Sequence, residues 1–288
     1  MASPIEEFAP AKINLFLHVG EKRADGFHDL ESLVVFADAG DSLSFTPSDG
    51  LTLTVDGPFA QGLDGESDNL VLRAARALSV HAGREAKAAI TLIKNLPVAS
   101  GIGGGSADAA AALRGLNELW QLGATPDELR KIAEALGSDV PVCVAGKPAW
   151  MEGRGERVSL ATGVPGAAIV LINPGVAVPT AAVFKALKTK RGTGHVDHSF
   201  GAKDTAGLGR FLRGTANDLE APARVIAPLI GEVLGELARM PGIELARMSG
   251  SGATCFGLFE DGGVAQMAAI ALAHSHPGWW VRAAKILT

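Results

Sequence analysis

Four glycines, Gly101, Gly103, Gly104 and Gly105, stand directly before a long helix-forming run. No other segment narrows the possible folds as much. Glycine allows positive φ and removes the side chain where a bulky group must approach the backbone. The run that follows, to about Gln121, places Ala109, Leu113, Leu116 and Trp120 at helical spacing, which predicts one buried stripe. Ahead of the glycines, residues 88–94 read as a strand. In a strand–loop–helix unit of this kind, unpaired N–H groups and the positive end of the helix dipole face back into the loop. That suits a phosphate. A tight packing turn is the plainer reading of the same glycines. Two other cradles are excluded by spelling. No Lys follows the glycines as Gly-x-x-x-x-Gly-Lys-Ser/Thr requires, and Ser106 stands where Gly-x-Gly-x-x-Gly needs its last glycine.

Alternation supplies the rest of the N-terminal half. Ile13, Leu15, Leu17 and Val19 alternate with Lys12, Asn14, Phe16 and His18, predicting one strand over 11–20 with Lys12 and Asn14 on the same face. Strands are also expected at 32–36, 42–46 and 51–55, with Pro47-Ser48-Asp49-Gly50 as a hairpin loop. A helix over 69–81 has Asp68 or Asn69 as its cap. Thr125-Pro126-Asp127-Glu128 is a capping box with Pro at the first helical position, and Gly137 is the matching stop. The run Val140-Pro141-Val142-Cys143-Val144 reads as strand-like, with Cys143 a buried thiol. Asp139 just before it is either a turn residue or a base.

Composition changes near 161–166, which divides the chain into domains 1–163 and 164–288. The second opens with a strand at 167–172, then a helix at 178–187 and a Gly/Lys/Thr/His-rich stretch at 189–209, expected to be a mobile loop. A helix at 227–239 follows, then strand 244–248, the loop Ser249-Gly250-Ser251-Gly252-Ala253-Thr254, strand 255–260, helix 264–274 and strand 279–286. The glycine-bearing loop is either a second anion site or a plain turn.

Several classes drop out. The chain has 288 residues and a net charge of −5, with no basic stripe of the kind a nucleic-acid binder shows. Its apolar runs are strand-sized, far below the ~18 residues of a spanning helix. The start, Met1 to Glu7, is acidic and lacks the apolar stretch of a signal peptide. Cys143 and Cys255 are distant from each other and fit no metal spacing, and His195 and His198 read as solvated. A cytoplasmic protein without nucleic-acid or membrane partners is the expectation.

Taken together, Pro10-Ala11-Lys12-Ile13-Asn14-Leu15, the segment 97–110 and the loop 249–254, in this order, resemble the three signature motifs of the GHMP kinase superfamily. Asp25-Gly26-Phe27-His28-Asp29-Leu30-Glu31-Ser32, Gly137-Ser138-Asp139-Val140-Pro141 and Gly153-Arg154-Gly155-Glu156 resemble the branch acting on a cytidine diphosphate-linked methylerythritol. The likeness runs from about residue 8 to 285. It implies an α+β, two-lobed GHMP kinase fold with the active site in the interdomain cleft. It also implies ATP-dependent phosphorylation of the 2-hydroxyl of 4-diphosphocytidyl-2-C-methyl-D-erythritol, in the non-mevalonate route to isoprenoid precursors, with ATP and Mg²⁺ as cofactors.

Carried over by position, Asp139 is the base and Lys12 its cationic partner. Gly101, Gly103, Gly104, Gly105 and Ser106 line the phosphates, the Ser106 hydroxyl reaches a phosphate or Mg²⁺, and Pro97 also belongs to the ATP site. Asn69, Leu70 and Lys94 lie by adenine, although each also reads as a helix cap, a core residue and a solvated lysine, respectively. Phe27 and His28 recognise cytosine, and Phe184 is a second stacking ring or ordinary core. Asn14 and Thr180 bind the erythritol or diphosphate portion. Many relatives carry Tyr where this chain, which contains no Tyr, has Phe27. The stacking face survives, at ~1–3 kcal/mol per base by analogy with nucleic-acid sites, and the phenolic hydroxyl is lost. No metal ligand is assigned, and either a monomer or a homodimer fits. Two other readings stay open. One is a GHMP kinase for homoserine or a mevalonate derivative, against which Gly26-Phe27-His28 speaks. The other is a non-catalytic nucleotide- or metabolite-binding protein, against which Lys12 and Asp139 speak.

Overall fold

The computed structural model describes residues 3–63 and 69–288. The chain begins with strands β1 (Ile5–Asn14), β2 (His18–Lys22), β3 (His28–Thr46) and β4 (Leu51–Asp56), then helix α1 (Leu70–His81) and strand β5 (Ala88–Ile93). Helices α2 (Gly104–Leu119), α3 (Pro126–Glu134) and α4 (Val140–Ala145) follow, then strands β6 (Ala149–Gly153), β7 (Arg157–Leu160) and β8 (Ala168–Asn173). The C-terminal part comprises α5 (Thr180–Ala186), α6 (Thr205–Arg213), α7 (Glu220–Ile226), α8 (Leu229–Ala238), β9 (Ile243–Met248), β10 (Cys255–Phe259), α9 (Gly262–Ser275) and β11 (Trp280–Leu287). Among the described residues no helix is long and apolar enough to cross a membrane.

Contacts group the chain into two compact units whose segments interleave along the sequence. The first comprises 1–11, 40–98 and 103–146; the second comprises 12–39, 99–102 and 147–288.

In the first unit, β5 pairs antiparallel with the end of β3 and parallel with β4. The expected hairpin over 47–50 is therefore corrected. β5 lies between β3 and β4, because the segment containing α1 carries the chain over and back. α2 packs on α1 and α4, and Gly115 leaves room for the Phe45 ring. The Thr125 capping box forms as expected. Residues 140–145 are helical, correcting the strand-like reading. Pro141 suits a first helical turn and Gly146 ends it at φ +59°. A short apolar run does not distinguish the two states by periodicity.

In the second unit, β11, β8, β10 and β9 form an antiparallel sheet in that order. α8 and α9 pack on it around Val170, Ile172, Leu237 and Phe259. The first part of β3 pairs with β2 and β6, and β6 with β7. The expected strands at 32–36 and 42–46 are one 19-residue strand.

The single strand expected over 11–20 breaks after Asn14. The backbone groups at the break find partners in several segments: the Leu15 carbonyl accepts from Arg247 at 2.8 Å, the Phe16 carbonyl from Ser32 Oγ at 2.5 Å, and the Leu17 N–H donates to the Ala216 carbonyl at 3.0 Å. Every residue from Ala11 to Gly20 is buried, so the polar side chains of Lys12 and Asn14 lie inside the fold as well. The stretch 189–209 holds the start of α6 and a segment tied down by hydrogen bonds, contrary to a freely mobile loop. α6, α7, β6 and β7 were not anticipated.

Candidate active site

In the first unit the glycine loop enters α2 through Gly103, which caps the helix in the left-handed region at φ +62° without a side-chain hydrogen bond. The first turn, Gly104-Gly105-Ser106, thus starts a 16-residue helix with no side-chain cap, the arrangement that favours an anion. Gly105 is exposed, Ser106 half-buried and Gly104 buried.

Directly beneath Gly104 lies Lys94, whose ammonium donates to Asp41 Oδ2 at 2.5 Å and Asp108 Oδ2 at 2.6 Å. All three side chains are at most 3% exposed. Asp41 Oδ1 also accepts the N–H groups of Asn95 (2.6 Å) and Leu96 (2.8 Å), tying the end of β5 to β3. Burial opposes charge on Lys94, yet the two carboxylates hold its pKa above the usual value. Burial, aided by the neighbouring Asp41, pushes Asp108 up to about 8 against the pull of Lys94. Asp108 Oδ1 is buried with no hydrogen-bond partner, which also disfavours the carboxylate. Lys94 is therefore not the solvated lysine that was the alternative reading.

Asn69 caps α1, accepting from the Val71 N–H at 2.9 Å; the alternative cap, Asp68, lies outside the described residues. Leu70 is half-buried beside it, and Pro97 is buried. Asp139 is half-buried at the N-cap position of α4, with no side-chain cap bond to that helix.

The second unit assembles the other residues. Lys12 is 3% exposed, and its ammonium donates to Asn14 Oδ1 at 2.9 Å, so the two do share a face. Asn14 in turn donates through Nδ2 to Ser32 Oγ (2.8 Å) and through its backbone N–H to Ser249 Oγ (3.1 Å). Ser249 Oγ donates to the Gly101 carbonyl at 3.1 Å, and the Lys12 N–H donates to the Ile102 carbonyl at 2.9 Å. The middle of the first glycine loop is thereby sewn to β1 and to the loop 249–254. A Cβ on Gly101 would lie 2.6 Å from the Gly252 carbonyl, and one on Gly250 would lie 2.7 Å from the Gly101 carbonyl. Close packing between two loops accounts for these glycines, whereas Gly103 is required by its helix-cap conformation.

Further along, His28 stacks on Phe184, with ring centroids 5.7 Å apart at 23°. His28 Nδ1 lies 3.2 Å from the Gly20 carbonyl. A carbonyl only accepts, so Nδ1 carries a proton, and in the neutral ring Nε2 is then the acceptor. Phe27 is 52% exposed, with the Arg154 guanidinium 5.5 Å over its ring. Thr180 Oγ1 is 2.8 Å from Ser251 Oγ, which brings α5 to the loop 249–254.

Asp41 escaped the sequence reading; Asp108, Ser32, Ser249 and Glu31 stand inside the quoted motifs but were given no role. The signal for Asp41 was a polar residue beside an apolar strand stripe. No cluster of three His, Cys, Asp or Glu side chains able to hold a metal occurs among the described residues.

Against known families, residues 69–147 match the GHMP kinases N terminal domain and residues 198–275 the GHMP kinases C terminal domain. The chain is 48% identical to the 4-diphosphocytidyl-2-C-methyl-D-erythritol kinase of Rhodospirillum rubrum, over 99% of this chain and 94% of that one. It is 50% identical to the protein of the same name from Parvibaculum lavamentivorans, over 98% of each. A crystal structure of 4-(cytidine 5'-diphospho)-2C-methyl-D-erythritol kinase superposes with a TM-score of 0.78 at 33% identity, covering 98% of this chain and 99% of that one. Homoserine kinase from Cytophaga hutchinsonii shares the fold, with a TM-score of 0.75 at 20% identity over 99% of this chain and 96% of that one.

Proposed function

Because the chain belongs to the GHMP kinases, in the branch of the 4-diphosphocytidyl-2-C-methyl-D-erythritol kinases, we propose that it moves the γ-phosphoryl group of ATP to the 2-hydroxyl of 4-diphosphocytidyl-2-C-methyl-D-erythritol. This would be a step of the non-mevalonate route to isoprenoid precursors. The observation that carries the reading is identity of about one half to relatives of that name along the whole chain.

The chemistry of the two units supports it. The uncapped N-terminus of α2, with Gly103, Gly104, Gly105 and Ser106, offers N–H donors to the ATP phosphates. Asn69, Leu70, Lys94 and Pro97 stand on the adenine side of this proposal. Mg²⁺ fits as an ion held mainly by phosphate oxygens and water, with the Ser106 hydroxyl as the side-chain oxygen. When bound, it would neutralise charge on the phosphates.

On the acceptor side, His28 Nε2 is an acceptor suited to the amino group of cytosine. Phe27 offers its exposed face to the base, and Phe184 backs His28. Without a phenol at 27, selectivity for the base falls to His28. Asn14 and Thr180 serve the erythritol and diphosphate portion. Asp139 takes the proton from the 2-hydroxyl, and Lys12 stabilises the charge on the phosphoryl group in transfer. That transition state is loose and anionic, so positioned cations and donors supply most of the rate.

The test is an ATP-coupled turnover assay with the cytidyl substrate, mevalonate, phosphomevalonate and homoserine side by side. Turnover of the cytidyl substrate alone is expected. Turnover confined to homoserine or a mevalonate refutes the proposal, and none with any alcohol favours a nucleotide-binding protein of this fold.

A further inference from the structure

The segment 190–198 was expected to be mobile and its histidines solvated; instead it is strapped to the second unit by polar ties. The Arg191 N–H donates to Asp218 Oδ2 at 2.9 Å, and the same oxygen accepts the Val19 N–H at 2.8 Å. The Gly192 N–H donates to the Val19 carbonyl (3.2 Å), and Lys190 Nζ donates to the Gly20 carbonyl (3.3 Å). Thr193 packs so closely on Gly20 that a Cβ there would lie 3.0 Å from its hydroxyl. β2 pairs with β3 along one edge, and these contacts lie along β2 itself.

The far end of the strap is latched by Glu31. This side chain is 1% exposed, and its two oxygens take different partners: Oε2 accepts the Gly194 N–H at 2.7 Å, and Oε1 meets His198 Nε2 at 2.9 Å. The His198 ring lies flat on Trp150, with centroids 4.2 Å apart at 6°. The strap also borders an open pocket of about 390 Å³, lined by His18, His195, Val196 and Phe211 among others.

The strap and the base-reading histidine share an acceptor. The Gly20 carbonyl that takes the strap's Lys190 is the one that orients His28 and sets its tautomer.

We propose that Glu31 and His198 are positioning residues for recognition of the cytidyl base: by latching the strap 190–198 along β2 they hold the Gly20 carbonyl where it fixes His28. The inference deepens the function proposed above and rests on it.

The experiment uses the full chain with His198→Phe, Glu31→Ala and Glu31→Gln. The Phe variant keeps the ring stacked on Trp150 and loses only the nitrogen. The Gln variant keeps an acceptor for the Gly194 N–H and can donate to a neutral His198. For His198→Phe and Glu31→Ala the expected result is an increase of roughly tenfold in KM for the cytidyl substrate. KM for ATP and kcat should stay within about twofold, and amide hydrogen exchange over 190–194 should be faster. Glu31→Gln should lie near wild type in each measure. If Glu31→Ala fails to fold, His198→Phe decides alone. Unchanged exchange, or faster exchange with an unchanged KM for the cytidyl substrate, overturns the proposal, as does an equal rise in both KM values. A wild-type chain that turns over another alcohol but not the cytidyl one defeats the proposed function instead. Exchange and the affinity for cytidine diphosphate, by calorimetry, then decide the latch: no difference between wild type and His198→Phe in either overturns it.

Discussion

The two units secure their functional loops by opposite means. In the first, an ammonium and two aspartate side chains, all almost fully buried, tie β3, the end of β5 and the start of α2 into one knot below the glycine loop. In the second, one buried carboxylate, Glu31, is matched by a backbone N–H and an imidazole that is 32% exposed. Buried charges gain strongly from each other and cost much when one is removed; a tie with one partly exposed partner, such as His198, costs less when that partner is removed. The knot of the first unit should thus be less tolerant of substitution than the strap of the second.

The largest expected effect concerns chemistry rather than support. Asp139→Asn should lower turnover by roughly 10²–10⁴-fold, the range of a lost general base, while ATP binding by calorimetry is preserved. Near-normal turnover would remove Asp139 from the mechanism. Next is Lys94→Met, which leaves the buried Asp41 and Asp108 side chains without their ammonium and should cost about 3–5 kcal/mol of stability, read by denaturant melts. A loss no larger than that of His198→Phe would erase the contrast drawn between the units.

Smaller still is Gly101→Ala. Its φ of +78° and the carbonyls of Ser249 and Gly252 beside it predict a cost on the order of 1–3 kcal/mol. The loop 249–254 should loosen with it, visible as faster amide exchange there.

The last prediction is a pH slope. Asp108 titrates near 8 in the folded chain and near 3.8 when unfolded, so the folded state binds more protons between those values. Its contribution to stability is complete below about pH 4 and is lost as pH rises through about 8. Asp108→Asn should flatten the melting temperature against pH across that window relative to wild type; an unchanged slope would mean that Asp108 ionises freely in the knot.

Local signals in the sequence were reliable where the physics is local. The capping box at Thr125, the Asn69 cap and the stripe on α2 depend on neighbours three or four residues away, and all are present. The hairpin over 47–50 failed because strand pairing is decided by what the connection through α1 brings between the strands. The strand over 11–20 failed because its backbone partners come from residues near 216 and 247. The glycines were legible as special but not as to why: Gly101 and Gly250 answer to each other across about 150 positions.

The sequence by itself determined the family motifs, the helix caps, the glycine loop ahead of α2 and the identity of the candidate acid–base and base-reading side chains. Only the tertiary structure decided which charges are buried together. Lys94 meets Asp41 and Asp108, and Glu31 meets His198 across 167 positions. Caps and stripes follow from a helix's own geometry. The partner of a buried charge follows from which segments the core brings within 3 Å, and no periodicity in the chain encodes that.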